Sequence, residues 1–311
     1  MPARLKALLL ALALVLPPAL LPAPAALAQP AAHVQDEAPS ADARAAEAKA
    51  AWAAARQAAT RGPADVKLLD QATLHLPQGM AFVPQAQASR LLAAMGNSPG
   101  SDLVGLVQGL GKSDDWAVVI RFAGEGYIRD DEAKTWNADD LLANLREGTE
   151  QRNEERARRG FPEIELLGWA QPPAYDPAQH RLVWSLLLRG KDAPADDQTV
   201  NYNTRALGRD GYFSLNLITD ADRLAADRGA AAALLAGLDY APGKRYQDFN
   251  ASTDRVAEYG LAALIGVVAA KKLGLIALAS AFALKFAKVG VLSLAGLGAL
   301  VSRLFRRKPS A

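Results

Sequence analysis

The 311-residue chain is 50% hydrophobic but only 6% aromatic, and its 35 basic and 33 acidic residues give a net charge of +2. It has three histidines and no cysteine, which excludes disulfide frameworks, thiolate zinc sites, iron–sulfur clusters and a cysteine nucleophile, so no metal or cofactor is predicted. The segments 1–28 and 260–311 carry cations but no acids, and the 25 cations and 33 acids between them form an acidic body, which disfavours nucleic-acid binding because phosphate contacts need clustered cations.

The N-terminus has the pattern of a secretory signal peptide. Two basic residues precede the apolar stretch Ala7–Leu16, which is too short to cross a bilayer as a helix. A small-residue cleavage motif follows and ends at Ala28. We predict that residues 1–28 are removed, that the mature chain begins at Gln29, and that the body is exported.

The C-terminal segment 256–302 is predicted to anchor the chain in the cytoplasmic (inner) membrane, so that the lipid bilayer is its first expected partner. Lysines interrupt its apolar runs, but a single span drawn from Leu273–Val301 lets two of them extend towards one interface. The basic tail 303–311 then stays in the cytoplasm, as the positive-inside rule favours. The alternatives are a helical hairpin whose first span is Gly260–Leu284, and a buried helix of a soluble domain.

Between these ends the pattern predicts an exported α+β domain over residues 65–255, preceded by an alanine-rich linker or exposed helix over residues 29–64. Its first half is predicted to contain a hairpin of Ala72–Leu76 and Met80–Val83, a helix Gln85–Met95, an alternating strand Asp115–Phe122, a short strand Tyr127–Arg129, and a helix capped by Asn137 that ends before Gly160.

The second half is more strand-like. The candidate strands are Ile164–Trp169, Arg181–Leu188, Thr199–Ala206 and Tyr212–Ile218, followed by a helix Asp220–Leu238. A proline loop follows the first strand, and an Asp-Gly turn precedes the last. Strands in a meander that are then covered by helices predict antiparallel sheets.

Four acids beside a glycine turn are the first candidate site: Glu125, Asp130, Asp131 and Glu132. Paired carboxylates can bind calcium or act as general acid and base. The cluster lacks the ligand spacing of an EF-hand loop, however, and a solvated turn is the alternative interpretation.

His180 is a second candidate. With Ser185 or Ser214 it would complete a serine–histidine–acid triad, but the sequence has no Gly-x-Ser-x-Gly motif to present the nucleophile. The simpler interpretation is a turn histidine beside Asp176.

A set of aromatic and proline residues is the third candidate, as a shallow groove for a peptide or glycan. Its members are Trp169, Pro172, Pro173, Tyr175, Tyr202 and Tyr212. The same residues would serve equally well in the core and at the edges of a sheet.

Several long blocks resemble a known family when they are taken together: GMAFVP at 79–84, GEGYIRDDEAKTW at 124–136, HRLVWSL at 180–186, NYNTRALGRDGYFSLNL at 201–217 and KRYQDFN at 244–250. They resemble the bacterial membrane-anchored family catalogued as domain of unknown function 2167, over roughly Val66 to Lys308. The resemblance implies a signal peptide, an exported domain and a C-terminal anchor. It implies no activity, cofactor or catalytic residue.

Two hypotheses follow for the function. The first is a non-enzymatic, periplasm-facing module of the cell envelope that binds a protein or a wall component. The second is a carboxylate-dependent envelope hydrolase that uses the four acids from Glu125 to Glu132. Convergence of those carboxylates in one cleft would favour the enzyme.

Overall fold

The computed structural model describes residues 40–131 and 136–265. The α-helices of these ranges are α1 Ala41–Ala58, α2 Gln85–Ala94, α3 Ala138–Arg158 and α4 Leu224–Ala236. The strands are β1 Thr60–Arg61, β2 Ala64–Leu68, β3 Ala72–Leu76, β4 Met80–Pro84, β5 Leu103–Gly109, β6 Ala117–Ala123, β7 Ile164–Asp176, β8 Arg181–Gly190, β9 Gln198–Leu207, β10 Tyr212–Asp220 and β11 Leu238–Tyr240. Short 3₁₀ helices lie at Ala221–Arg223, Tyr246–Asp248 and Leu261–Leu264.

Two antiparallel sheets form the framework of the domain. The large sheet has the strand order β1-β4-β5-β6-β10-β9-β8-β7, and the small sheet has the order β11-β3-β2. Every pairing within the two sheets is antiparallel. The predicted α+β class with antiparallel sheets is therefore confirmed.

Both faces of the large sheet are buried, because its central strands carry apolar residues on each side. One face, which we call the helical face, packs against α1, α2 and α3 and contains Trp184 and Leu186 of β8. The opposite face packs against the small sheet and α4, and contains Phe213 and Leu215 of β10. The alternation predicted for residues 115–122 is correct, since the four even-numbered residues from 116 to 122 all pack on this opposite face.

Helix α1 is part of the folded domain and is not the exposed helix or linker that the composition predicts. Ser40 caps it by accepting a hydrogen bond from the N–H of Ala43 at 3.2 Å. Its buried stripe is made only of Ala48, Ala51 and Ala55, which join the core of the helical face. Small side chains let α1 pack closely against α2, so a narrow stripe without leucine is enough to bury this helix.

The hairpin predicted for residues 72–83 does not form. Strand β3 pairs with β2 and β11 in the small sheet, whereas β4 pairs with β1 and β5 in the large sheet. The chain passes from one sheet to the other at Gly79, which has a φ of +82° that favours glycine. The strand predicted at 127–129 is reduced to a single parallel bridge between Tyr127 and Val256.

The four strands predicted in the second half form a continuous antiparallel run in the order β10-β9-β8-β7. The predicted proline loop is instead part of β7, where Pro172 and Pro173 lie in a region of irregular register. Proline has no backbone N–H to donate, but β7 is an edge strand, so its prolines interrupt no hydrogen bonds between interior strands. Asn137 caps α3 as predicted, with its side-chain oxygen 2.9 Å from the N–H of Asp139.

The first residues of the predicted membrane-anchoring segment belong to the domain. Leu261, Leu264 and Ile265 are buried in the core of the helical face. The predicted signal peptide 1–28, the span within Leu273–Val301 and the basic tail lie outside the described residues. Within the described ranges no helix combines the length and apolar character needed to span a membrane.

Candidate functional site at one end of the large sheet

A row of side chains crosses the helical face near one end of the large sheet. Arg121 of β6 lies opposite Ser214 of β10, and Ser214 lies opposite Arg205 of β9. The row continues through β8 to Tyr175 of β7. Directly opposed residues of antiparallel strands point to the same face, so these side chains share one surface.

The neighbouring row contains two more of the predicted residues, Tyr212 and His180. Tyr212 lies opposite Leu207, and the Leu207 N–H donates a hydrogen bond to the carbonyl of His180 at 3.0 Å. Three residues of the sequence-based predictions, Tyr175, His180 and Tyr212, therefore come together at one end of the sheet.

Four stacked rings close this end of the sheet: Phe249, Tyr127, Tyr246 and His180. Their successive centroids are 3.8, 4.4 and 4.2 Å apart. The Tyr246 hydroxyl also donates to the carbonyl of Ile128 at 2.8 Å. The stack joins the segment after the small sheet to the turn at His180, which has a φ of +50°. His180 thus packs as a turn histidine with a defined ring partner.

No triad forms around His180 in the described part of the chain. Ser214 accepts a hydrogen bond from Arg205 at 2.6 Å. Ser185 lies on the face opposite to Trp184, and its hydroxyl has no hydrogen-bond partner among the described residues.

Asp130 pairs with a tyrosine. The Tyr175 hydroxyl donates to the Asp130 carboxylate at 2.7 Å. Burial, reinforced by this carboxylate, raises the pKa of Tyr175. Burial also raises the pKa of Tyr246, with the Tyr127 hydroxyl as the next cause. These phenols therefore stay protonated and donate hydrogen bonds at neutral pH.

Two of the predicted acids lie beside different tyrosines in the described structure. Glu125 is half-buried and acts electrostatically on Tyr212 and Tyr259, whereas the half-buried Asp130 faces Tyr175. Asp131 is exposed, and residue 132 lies outside the described ranges. Among the residues that the structure describes, no group of three or more His, Asp or Glu side chains is placed to hold a metal ion.

The aromatic set does not line a single groove. The Trp169 indole N–H donates to the carbonyl of Ala138 at 3.2 Å and joins β7 to the start of α3. Tyr202 packs on the opposite face of the sheet from Tyr212. Pro172 is exposed on the edge strand. The predicted binding surface therefore separates into core residues, edge residues and the row at the sheet end.

Two buried arginines also lie at this end of the large sheet, and neither is among the site residues predicted from the sequence. Arg121 is 3% exposed and Arg205 is 8% exposed. Arg121 donates to the Asp102 carboxylate at 2.7 Å and to the carbonyl of Pro99. The Arg205 guanidinium lies 4.7 Å from the ring centroid of Trp184. Burial lowers the pKa of both arginines.

The sequence does contain a signal for Arg121, namely its position in the alternating pattern of β6. Arg121 follows Ala117 and Val119 at alternate positions of β6, and all three point to the helical face. A charged residue at a position where the alternation predicts a core-facing side chain indicates a buried polar site.

Residues 60–298 match the family model described as a protein of unknown function, DUF2167. The chain belongs to this family. The match confirms the resemblance to domain of unknown function 2167. It extends from β1 past the end of the described residues, while α1 precedes it. No curated protein matches the chain. The solution structure of cyanobacterial PsbP (CyanoP) from Synechocystis sp. PCC 6803 is 13% identical, with 59% of this chain and 91% of that chain covered and a TM-score of 0.35.

Proposed function

We propose that this DUF2167 protein is a cell-envelope protein of the cytoplasmic membrane whose domain faces outward and acts by binding, not by catalysis. The charge distribution supports the location, since an acidic body lies between a signal-like N-terminus and a C-terminal segment with cations and no acids. In this proposal the anchor is a span within Leu273–Val301, and residues 303–311 face the cytoplasm.

We favour binding over hydrolysis because the two half-buried acids, Asp130 and Glu125, lie beside different tyrosines. A hydrolase that works with a pair of carboxylates needs both of them to face the same scissile bond. Asp130 already accepts the Tyr175 hydroxyl at 2.7 Å, and Glu125 lies beside a different tyrosine pair. A hydrolase that uses the Glu125–Glu132 cluster is the alternative, and it would require these acids to approach one another on binding of the substrate.

The proposed contact surface is the sheet end with its adjoining edge strand. Pro172 is exposed and Phe249 is half-exposed on the outer side of the ring stack. Aromatic and proline residues at an exposed edge suit contact with a protein or a wall component. The acidic body argues against an anionic polymer as the partner.

Site-specific photo-crosslinking in intact cells tests the binding proposal. A photoreactive phenylalanine analogue placed at Pro172 or Phe249 of the full chain should give the same discrete crosslinked product from both positions. The matched control is the analogue at Leu110, which is 38% exposed on another turn. Crosslinking that is equal at all three positions would contradict this contact surface.

Carboxamide variants test the hydrolase alternative. Asp130→Asn and Glu125→Gln should leave the crosslinked product in place if the domain only binds. Release of soluble wall fragments by the wild type that both variants abolish would support the hydrolase and overturn the binding module.

A further inference from the structure

The two buried arginines have hydrogen-bonding capacity that the described protein does not use. One end of the Arg121 guanidinium is held, because Nη1 donates to Asp102 and Pro99. The other edge, formed by Nε and Nη2, is buried and has no hydrogen-bond partner among the described residues. Such an edge can bind a carboxylate with two parallel hydrogen bonds.

Two further side chains on the helical face, those of Arg205 and Asn216, also have buried polar atoms without a hydrogen-bond partner among the described residues. Arg205 donates through Nη1 to Ser214 at 2.6 Å, but its Nε is buried without a partner. Asn216 is 1% exposed, follows Ser214 at the next inward position of β10, and has no partner for either side-chain atom. Buried polar groups in native proteins are nearly always paired with protein, water or a ligand, so a cluster of unpaired donors marks a candidate binding site.

The charge of the cluster defines the class of that ligand. The ionisable groups that act electrostatically on Arg205 are Tyr212, Arg121 and Asp102, and burial raises the pKa of Tyr212 so that this phenol stays neutral. Asp102 is the one carboxylate that forms an ion pair with either buried guanidinium in the described structure, and it pairs with Arg121, which leaves Arg205 without an anionic partner. A buried charge is stabilised by a partner of opposite sign, and a ligand with one negative charge balances this cluster while a phosphate dianion would reverse it.

We propose that Arg121, Arg205 and Asn216 form a binding site for the carboxylate of a small organic monoanion on the helical face of the large sheet. Arg121 binds both carboxylate oxygens through its free edge. Arg205 supplies a further N–H, and the Asn216 amide donates to the ligand from the adjacent row. Asp102 and Pro99 hold Arg121 in the orientation that exposes its free edge to the ligand.

Titration of the purified full chain in detergent with sodium acetate tests this site, with sodium chloride keeping the ionic strength constant. Acetate should raise the unfolding temperature in a saturable manner and give a measurable heat of binding by calorimetry. Inorganic phosphate in a parallel titration should bind more weakly. The exposed ion-pair variant Arg90→Gln is the control and should bind acetate like the wild type.

Arg121→Gln removes the bidentate edge and should weaken acetate binding about tenfold or more. Because Arg121 also holds the 99–102 loop, Asn216→Leu provides a second variant that breaks no observed hydrogen bond. It should raise the unfolding temperature without ligand and still weaken acetate binding. Equal acetate stabilisation of the wild type and Asn216→Leu, the absence of any saturable effect, or tighter binding of phosphate than of acetate would each overturn the proposal.

Discussion

The half-buried Arg152 shows how far a single residue departs from what its type predicts. Arg152 lies on α3, and its side chain extends back towards Gly148. All three of its guanidinium nitrogens are buried and have no hydrogen-bond partner among the described residues. Burial lowers the pKa of Arg152 to about 10. The sequence around Arg152 is almost entirely polar, so helical spacing does not distinguish this residue from its exposed neighbours.

Arg152→Leu should stabilise the domain by about 1–4 kcal/mol, since replacing a buried unpaired charge with an apolar side chain removes its desolvation cost. Chemical denaturation of the full chain and the variant measures the difference. Arg158→Leu, at an exposed position of the same helix, is the control and should change stability by less than about 0.5 kcal/mol. A loss of stability in Arg152→Leu would mean that this guanidinium has a partner outside the described residues.

The Tyr175–Asp130 pair gives a second prediction for a single residue. Tyr175→Phe should destabilise the domain by about 1–3 kcal/mol, because it leaves a half-buried carboxylate without its hydroxyl donor. Tyr202→Phe, on the opposite face, should cost less than about 0.5 kcal/mol. Thermal unfolding of both variants against the wild type tests the ranking. Equal effects would show that the short hydrogen bond adds nothing to stability.

At the scale of elements, the sequence predicted most helices and strands but not their partners. The alternation of β6 and the cap at Asn137 are local signals, and both were correct because hydrophobic phase and backbone capping act over a few residues. The partner of β3 is decided by a crossing between sheets at Gly79, which no local pattern encodes. Helix α1 was misjudged because its burial depends on close packing of alanines, which give only a weak amphipathic pattern.

The packing of α1 leads to a prediction that separates a linker from an integral helix. Ala51 is fully buried in α1, so Ala51→Glu should destabilise the domain by about 3 kcal/mol or more through burial of an unpaired charge. Ala53→Glu places the same charge on the exposed side of the helix and should be nearly neutral. Proteolysis and thermal unfolding compare the two variants. Equal stability would restore the interpretation of residues 41–58 as a linker.

At the scale of the whole molecule, the sequence predicted the class of the fold and the family, while the candidate site emerged only from tertiary structure. Tyr212 is distant in sequence from Tyr175 and His180 and meets them only because β7, β8, β9 and β10 pair in register. Arg121 joins them from the first half of the chain. A row of side chains that crosses five strands cannot be inferred from the sequence of any one strand.

The tyrosines connect this site to the stability of the entire domain. Each of the seven tyrosines of the chain has a raised pKa, and burial is the largest cause in every case. In the unfolded chain they ionise near pH 10. Because their folded pKa values lie above the unfolded ones, their contribution to stability is complete below about pH 10 and is lost as the pH rises beyond it.

We therefore expect the unfolding temperature of the full chain to be insensitive to tyrosine ionisation at pH 7–9 and to fall steeply above about pH 10. Ultraviolet titration should show tyrosinate appearing together with the loss of structure measured by circular dichroism, whereas the chain in urea should titrate near pH 10. Tyr246→Phe removes one of the buried phenols and should make the fall less steep, even though the loss of its hydrogen bond to Ile128 lowers stability at neutral pH. Tyrosinate that forms near pH 10 in a chain that keeps its native spectrum would contradict the burial of these rings and, with it, the closed end of the sheet on which the candidate site is built.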